Sequence, residues 1–162
     1  MNESFTRFYR AHKDRLFGYL IRRTGNHDLS CDIVQESFTR LLRVYGRNEQ
    51  KTALLYTIAR NALLDHFRKS KRNEPLDFEQ TDVSLDPEKR FIIRQTYQKV
   101  LSAFQRLDEE EKDILSLAVS GDFSYREIGK IAGISEGSVK VKIHRARVKL
   151  KAELGSLRTQ LE

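Results

Sequence analysis

The chain has 162 residues, 39% of them hydrophobic, and a formal net charge of +7. That size allows one domain or two small ones, and the basic balance favours a polyanionic partner without choosing between nucleic acid, acidic protein and anionic membrane. No apolar run approaches a membrane span, the N-terminus lacks a signal-peptide core, and the single cysteine, Cys31, excludes an internal disulfide and a cysteine-rich zinc site, so a cytoplasmic chain with no membrane insertion is expected.

Along the N-terminal half the apolar residues recur with helical spacing. Phe5, Phe8, Tyr9, Leu16, Tyr19 and Leu20 suit one face of a first helix, which Gly25-Asn26 ends. In the next segment, residues 28–45, Ile33, Val34, Phe38, Leu41, Leu42 and Tyr45 are expected to face the core. Asp28, Asp32 and Glu36 lie four residues apart and line a separate stripe, with Gln35 beside it. Two readings fit that stripe: a solvated face whose anions favour the helix N-terminus, or a docking surface for a basic protein.

A third helix is predicted over residues 52–72, with Leu54, Leu55, Ile58, Ala59, Ala62, Leu63 and Phe67 as its buried stripe. Its C-terminal part gathers Arg60, Arg68, Lys69, Lys71 and Arg72 against Asp65, and part of that cluster simply complements the helix dipole. Asn61, Asp65 and Arg68 fall on one face and can present amide, carboxylate and guanidinium groups to base edges or to a nucleic-acid backbone. The stretch Asn73–Glu88, "NEPLDFEQTDVSLDPE", then holds both prolines and six acids with no base. Proline interrupts helix and like charges repel, so it reads as a tether. The expected architecture is all-α: two small helical domains, residues 1–72 and 91–162, joined by a flexible acidic linker over 73–90.

The second half carries the densest local signals. Leu107–Gly121 reads as an acid-headed amphipathic helix closed by glycine. Ser124 and Glu127 form an S-x-x-E capping box, Gly133 permits a sharp turn, Ile134 plugs the junction and Ser135 caps the next helix. That last helix is expected to bury Val139, Ile143, Ala146 and Leu150, leaving Lys140, Val141, Lys142, His144, Arg145, Arg147 and Lys149 outward. Six cations against one acid between Ser135 and Lys151 suit phosphates and guanine edges. The spacing is that of a helix-turn-helix whose second helix enters a major groove. The plainer alternative is a solvated basic helix on a bundle.

Three motifs in this order resemble a known family. "CDIVQESFTRLLR" is similar to the core-binding helix of bacterial sigma factors of the extracytoplasmic-function type. "YTIARNALLDHFRKSKR" resembles their promoter-reading helix, and "LDEEEKDILSLAVSGDFSYREIGKIAGISEGSVKVKIHRARVKLK" their fourth conserved region. The resemblance implies that Asp32, Gln35 and Glu36 dock on a basic coiled coil of core RNA polymerase, and that Phe38 holds the helix to the core beneath. It implies that Asn61, Asp65, Arg68 and Lys69 face the −10 element of promoter DNA, where a base leaves the stack. Lys140, Val141, His144 and Arg145 would read the −35 element as duplex, with Arg147 on phosphate. An anti-sigma protein covering the same surfaces is the regulatory partner that the resemblance implies.

Some positions depart from the pattern. The loop Gly46–Thr52 is about three residues short and lacks the usual following tryptophan. Gly129 stands where alanine is common, at a helix cost of about 1 kcal/mol, and Val141 replaces a polar residue, exchanging a hydrogen bond for contact with a thymine methyl. The competing reading is a helix-turn-helix regulator that acts without core polymerase. No Ser/His/Asp set, metal-ligand cluster or phosphate-cradling glycine loop stands out, so neither enzymatic activity nor a cofactor is expected. Cys31 reads as structural, and the scattered His12, His27, His66 and His144 as surface or half-buried side chains.

Overall fold

A computed structural model describes residues 3–48, 51–70 and 87–161; for 87–93 and 156–161 the backbone alone is described. Every regular element among these residues is helical. Helix α1 (Glu3–Thr24) ends at Gly25, and the Asn26 side chain accepts from the Leu29 N–H at 3.0 Å to start α2 (His27–Arg40). A π-helical turn, Leu41–Tyr45, extends α2, and α3 runs from Thr52 to Lys69. These three helices close on Leu16, Tyr19, Leu20, Leu41, Leu55, Tyr56 and Leu63, all fully buried.

One expected core residue turns outward. Tyr45 is 46% exposed, because the wider π turn takes the residues after Leu41 out of the 3.6-residue register that put Tyr45 on the inner face. Leu41 itself keeps its place in the core.

Helix α4 (Pro87–Gln105) begins on a proline, whose missing N–H costs nothing at a first helical position. Residues 87–90, which the charge pattern assigned to the tether, are therefore helical, while 73–86 lie outside the described residues. Helix α5 (Glu109–Val119) is capped by Asp108, whose carboxylate accepts from the Glu111 N–H at 2.8 Å. Helix α6 (Tyr125–Ala132) opens on the capping box: the Glu127 N–H donates to Ser124 Oγ at 3.1 Å, and the Ser124 N–H donates to Glu127 Oε2 at 3.0 Å. Gly133, at φ 73°, sits in the left-handed region and makes the turn. Helix α7 (Glu136–Leu161) follows, with Ser135 Oγ accepting from the Ser138 N–H.

Val139, Ile143, Ala146 and Leu150 of α7 are buried against α5 and α6, each larger side chain contributing about 1.5–3 kcal/mol. Gly129 has a different reason to be glycine than helix propensity suggests. A Cβ there would meet the Ile134 carbonyl oxygen at 2.7 Å, so only glycine lets the turn fold back onto α6. The Ile134 N–H donates to the Gly129 carbonyl at 2.9 Å and fixes that close approach. The two helical groups also pack on each other, α1 against α4 and α5, and α3 against α6.

Propensity and packing make opposite forecasts for Gly129→Ala. Propensity alone would stabilise by about 1 kcal/mol; the backbone clash should instead destabilise by roughly 1–3 kcal/mol. A urea denaturation curve of the variant against the parent chain distinguishes the two by the sign of the midpoint shift.

Candidate functional site

Three surfaces gather the residues singled out by sequence. On α7, Lys140, Val141, His144, Arg145 and Arg147 are all exposed; Val141, His144 and Arg145 stand opposite the buried Val139, Ile143 and Ala146, and Lys140 and Arg147 flank that stripe. The apolar stripe thus fixes which side the donors occupy. Val141, 48% exposed, sits among them and offers a methyl surface rather than a hydrogen bond. Two other cations of this helix are paired with acids of α5. Lys142 pairs with Glu110, and Lys149 Nζ donates to both carboxylate oxygens of buried Glu111 at 2.8 and 3.0 Å. The counted charge of the helix therefore overstates what it offers to a polyanion.

On α3, Asn61, Asp65, Arg68 and Lys69 are exposed along one face, with Ala62 and Leu63 buried behind them. Asp65 and Arg68 lie 3.7 Å apart as an exposed pair, close enough to orient each other and too solvated to lock. Lys71 and Arg72 lie outside the described residues. Arg60, in the same basic cluster by sequence, faces elsewhere: its Nε donates to Asp113 of α5 at 2.8 Å.

The acidic stripe on α2 is also exposed at Asp28, Asp32, Gln35 and Glu36, and Phe38 lies 4% exposed beneath it. Phe38 stacks edge-on with Phe5, Phe8 and Tyr9, so it anchors α2 to α1. Glu36 accepts from Arg40 at 2.9 Å. Asp32, Gln35 and Glu36 line a groove of about 520 Å³ with Thr39, Arg40, Arg43 and Val44. A second groove of about 460 Å³, bordered by Phe5, Tyr9, Gln35, Phe38, Thr39 and Leu42, adjoins it through Gln35 and Thr39. Thr39 and the apolar second groove escaped the sequence reading, although Thr39 continues the 32, 35, 36 stripe at helical spacing.

Cys31 lies half-buried on α2 with its Sγ 3.8 Å from His27 Nδ1. Burial raises its thiol pKa above the usual value, and Asp28 and Asp32 push in the same direction. Among the described residues no helix is long and apolar enough to cross a membrane.

Comparison with known proteins adds to this geometry. Residues 8–73 match the family described as Sigma-70 region 2, and residues 97–150 the one described as Sigma-70, region 4. The chain is 30% identical to the ECF RNA polymerase sigma factor EcfG of Rhodopseudomonas palustris, over 86% of this chain and 78% of that protein. It is 28% identical to the RNA polymerase sigma factor CarQ of Myxococcus xanthus, over 98% of this chain and 94% of that one. Among solved structures, the fold is similar to the sigma factor RpoE in complex with the anti-sigma factor NepR from Bartonella quintana. There the TM-score is 0.74 at 22% identity, covering 95% of this chain and 98% of that one.

A raised pKa means less thiolate at neutral pH, and the thiolate is the nucleophile. Cys31 should accordingly be alkylated by iodoacetamide more slowly in the folded chain than in urea. Asp28→Asn should speed the folded reaction a few-fold at most. Reaction in the folded chain faster than in urea would contradict the burial-based assignment.

Proposed function

The chain belongs to the extracytoplasmic-function group of RNA polymerase sigma factors, and on that premise we propose how its surfaces divide the work. A sigma factor of this group binds core RNA polymerase and directs initiation at particular promoters by reading −10 and −35 elements. We assign the first module, residues 1–72, to polymerase docking and to the −10 element, and the second, residues 91–162, to the −35 element, with 73–90 between them. The single observation that carries the assignment is the separation of sign. Exposed acids line α2, while exposed cations line α3 and α7 on the sides away from their buried stripes.

In this reading Asp32, Gln35 and Glu36 meet a basic coiled coil of polymerase, and the adjoining apolar groove receives its non-polar side chains. Asn61, Asp65, Arg68 and Lys69 hold the unpaired −10 strand, where extracting a base costs a few kcal/mol that backbone and pocket contacts must return. Lys140, Val141, His144 and Arg145 read base edges in the major groove, and Arg147 contacts phosphate. The protein has no chemistry of its own: polymerase supplies the catalysis, and this chain supplies position. An anti-sigma protein that covers the same surfaces is the partner proposed for the free chain, which resides in the cytoplasm.

Two variants separate these roles. Arg145→Ala should weaken binding of the reconstituted holoenzyme to −35 duplex by about 1–3 kcal/mol and leave core affinity unchanged. Asp32→Lys combined with Glu36→Lys should abolish co-migration with core polymerase and leave duplex binding by the free chain intact. A regulator acting without polymerase would show the first effect and be indifferent to the second change. Loss of thermal stability as the sole effect of both variants would contradict the site assignment.

A further inference from the structure

At the junction of the two helical groups, one buried carboxylate gathers three polar contacts. Asp113 of α5 is 4% exposed. Its Oδ1 accepts from the Tyr19 hydroxyl at 2.6 Å and lies 2.7 Å from Arg23 Nη1, an ion pair. Its Oδ2 accepts from Arg60 Nε at 2.8 Å. All three partners come from α1 and α3 of the first module. Burial raises the Tyr19 hydroxyl pKa well above its ordinary value, and Asp113 acts in the same direction, so the phenol keeps its proton and donates.

Further polar contacts surround it, beside an apolar core that continues across the junction. Arg22 Nη2 donates to the Ser116 carbonyl at 3.1 Å, Gln105 Nε2 donates to the Arg22 carbonyl at 3.0 Å, and Arg15 pairs with Asp122. Tyr56 and Phe123 add an edge-to-face ring contact at 4.9 Å. Interfaces of this kind within one chain separate readily unless they are large and apolar. Arg22 Nε, Arg23 Nε and Ser116 Oγ are buried here without a protein partner among the described residues, so separation takes no hydrogen bond from them.

This arrangement cannot read both promoter elements at once. Positions −35 and −10 are separated by roughly 25 base pairs at about 3.4 Å each, on the order of 80 Å of duplex. Yet α3 packs directly on α6, the neighbour of α7. Arg60, meanwhile, sits about 100° round α3 from Asn61, flanking the exposed face that holds Asn61, Asp65 and Arg68.

We propose that the free chain has a closed state latched by Asp113, in which its carboxylate occupies Arg60 as a backbone phosphate would, and that parting of the modules hands Arg60 to DNA. The proposal rests on the assignment of α3 and α7 to promoter DNA. Arg60 thereby becomes a further phosphate-binding residue, and Asp113 its internal competitor.

The test uses the free 162-residue chain, small-angle X-ray scattering, and binding to a forked DNA of mixed sequence, with circular dichroism to verify helix content. Asp113→Asn should increase the radius of gyration and tighten forked-DNA binding roughly three- to tenfold, as the competent fraction rises. Arg60→Gln should also expand the chain but bring no gain in affinity, and should lower the salt slope by about one relative to Asp113→Asn. The double variant should be expanded and bind like Arg60→Gln. An unchanged radius of gyration in Arg60→Gln, a partly exposed position expected to keep its fold, overturns the latch even if Asp113→Asn loses helix. An affinity gain that persists in the double variant overturns the phosphate role. None of these measurements uses polymerase, so a chain that opens as described but never joins core would sink the sigma reading and leave the latch standing.

Discussion

The seating of one apolar stripe, Val139, Ile143, Ala146 and Leu150, in the groove between α5 and α6 sets the orientation of everything that α7 presents. A helix can bury one side only, so burying that side obliges Arg145 and its neighbours to point away from the bundle. The angle of α7 is set one step earlier, where Gly133 turns the chain and Gly129 admits the Ile134 carbonyl. The surface proposed for DNA thus depends on a contact between two backbones that carry no charge at all.

Charge is then sorted, not merely accumulated. The acids at the start of α5 engage Lys142 and Lys149, buried Asp113 engages Arg23 and Arg60, and α3 and α7 keep exposed cations at Arg68, Lys69, Lys140, Arg145 and Arg147. Glu111 and Asp113 are held almost out of water, where an unpartnered carboxylate would be costly, so their cationic neighbours are structural necessities in this arrangement. The net charge of +7 is thereby an incomplete guide to the binding face, since Arg23, Arg60 and Lys149 are committed to buried acids. In the proposed division of work the exposed acids of α2 turn towards polymerase and the exposed cations of α3 and α7 towards DNA.

What could be read from the sequence was local. The capping box of α6, the left-handed Gly133, the Ser135 cap and the four-residue stripe of α7 all depend on residues a few positions apart, and each appears where the spacing placed it. The exposure of Asp32, Gln35 and Glu36, and of Asn61, Asp65 and Arg68, followed from the same periodicity. Tyr45 was misplaced because a π turn interrupts that periodicity without leaving a composition signal. Gly129 was read for helix propensity when its constraint is a carbonyl five residues on. Arg60 looked like its basic neighbours because its partner, Asp113, lies 53 residues further along, beyond any pattern in the local sequence.

The most direct measurement of the account is run-off transcription from a genomic promoter library with purified core polymerase, with and without this chain. Start sites that appear only when the chain is present, and that share sequence upstream at both −10 and −35, are the predicted result. Transcripts indifferent to the chain, despite a folded protein at saturating concentration, would contradict it.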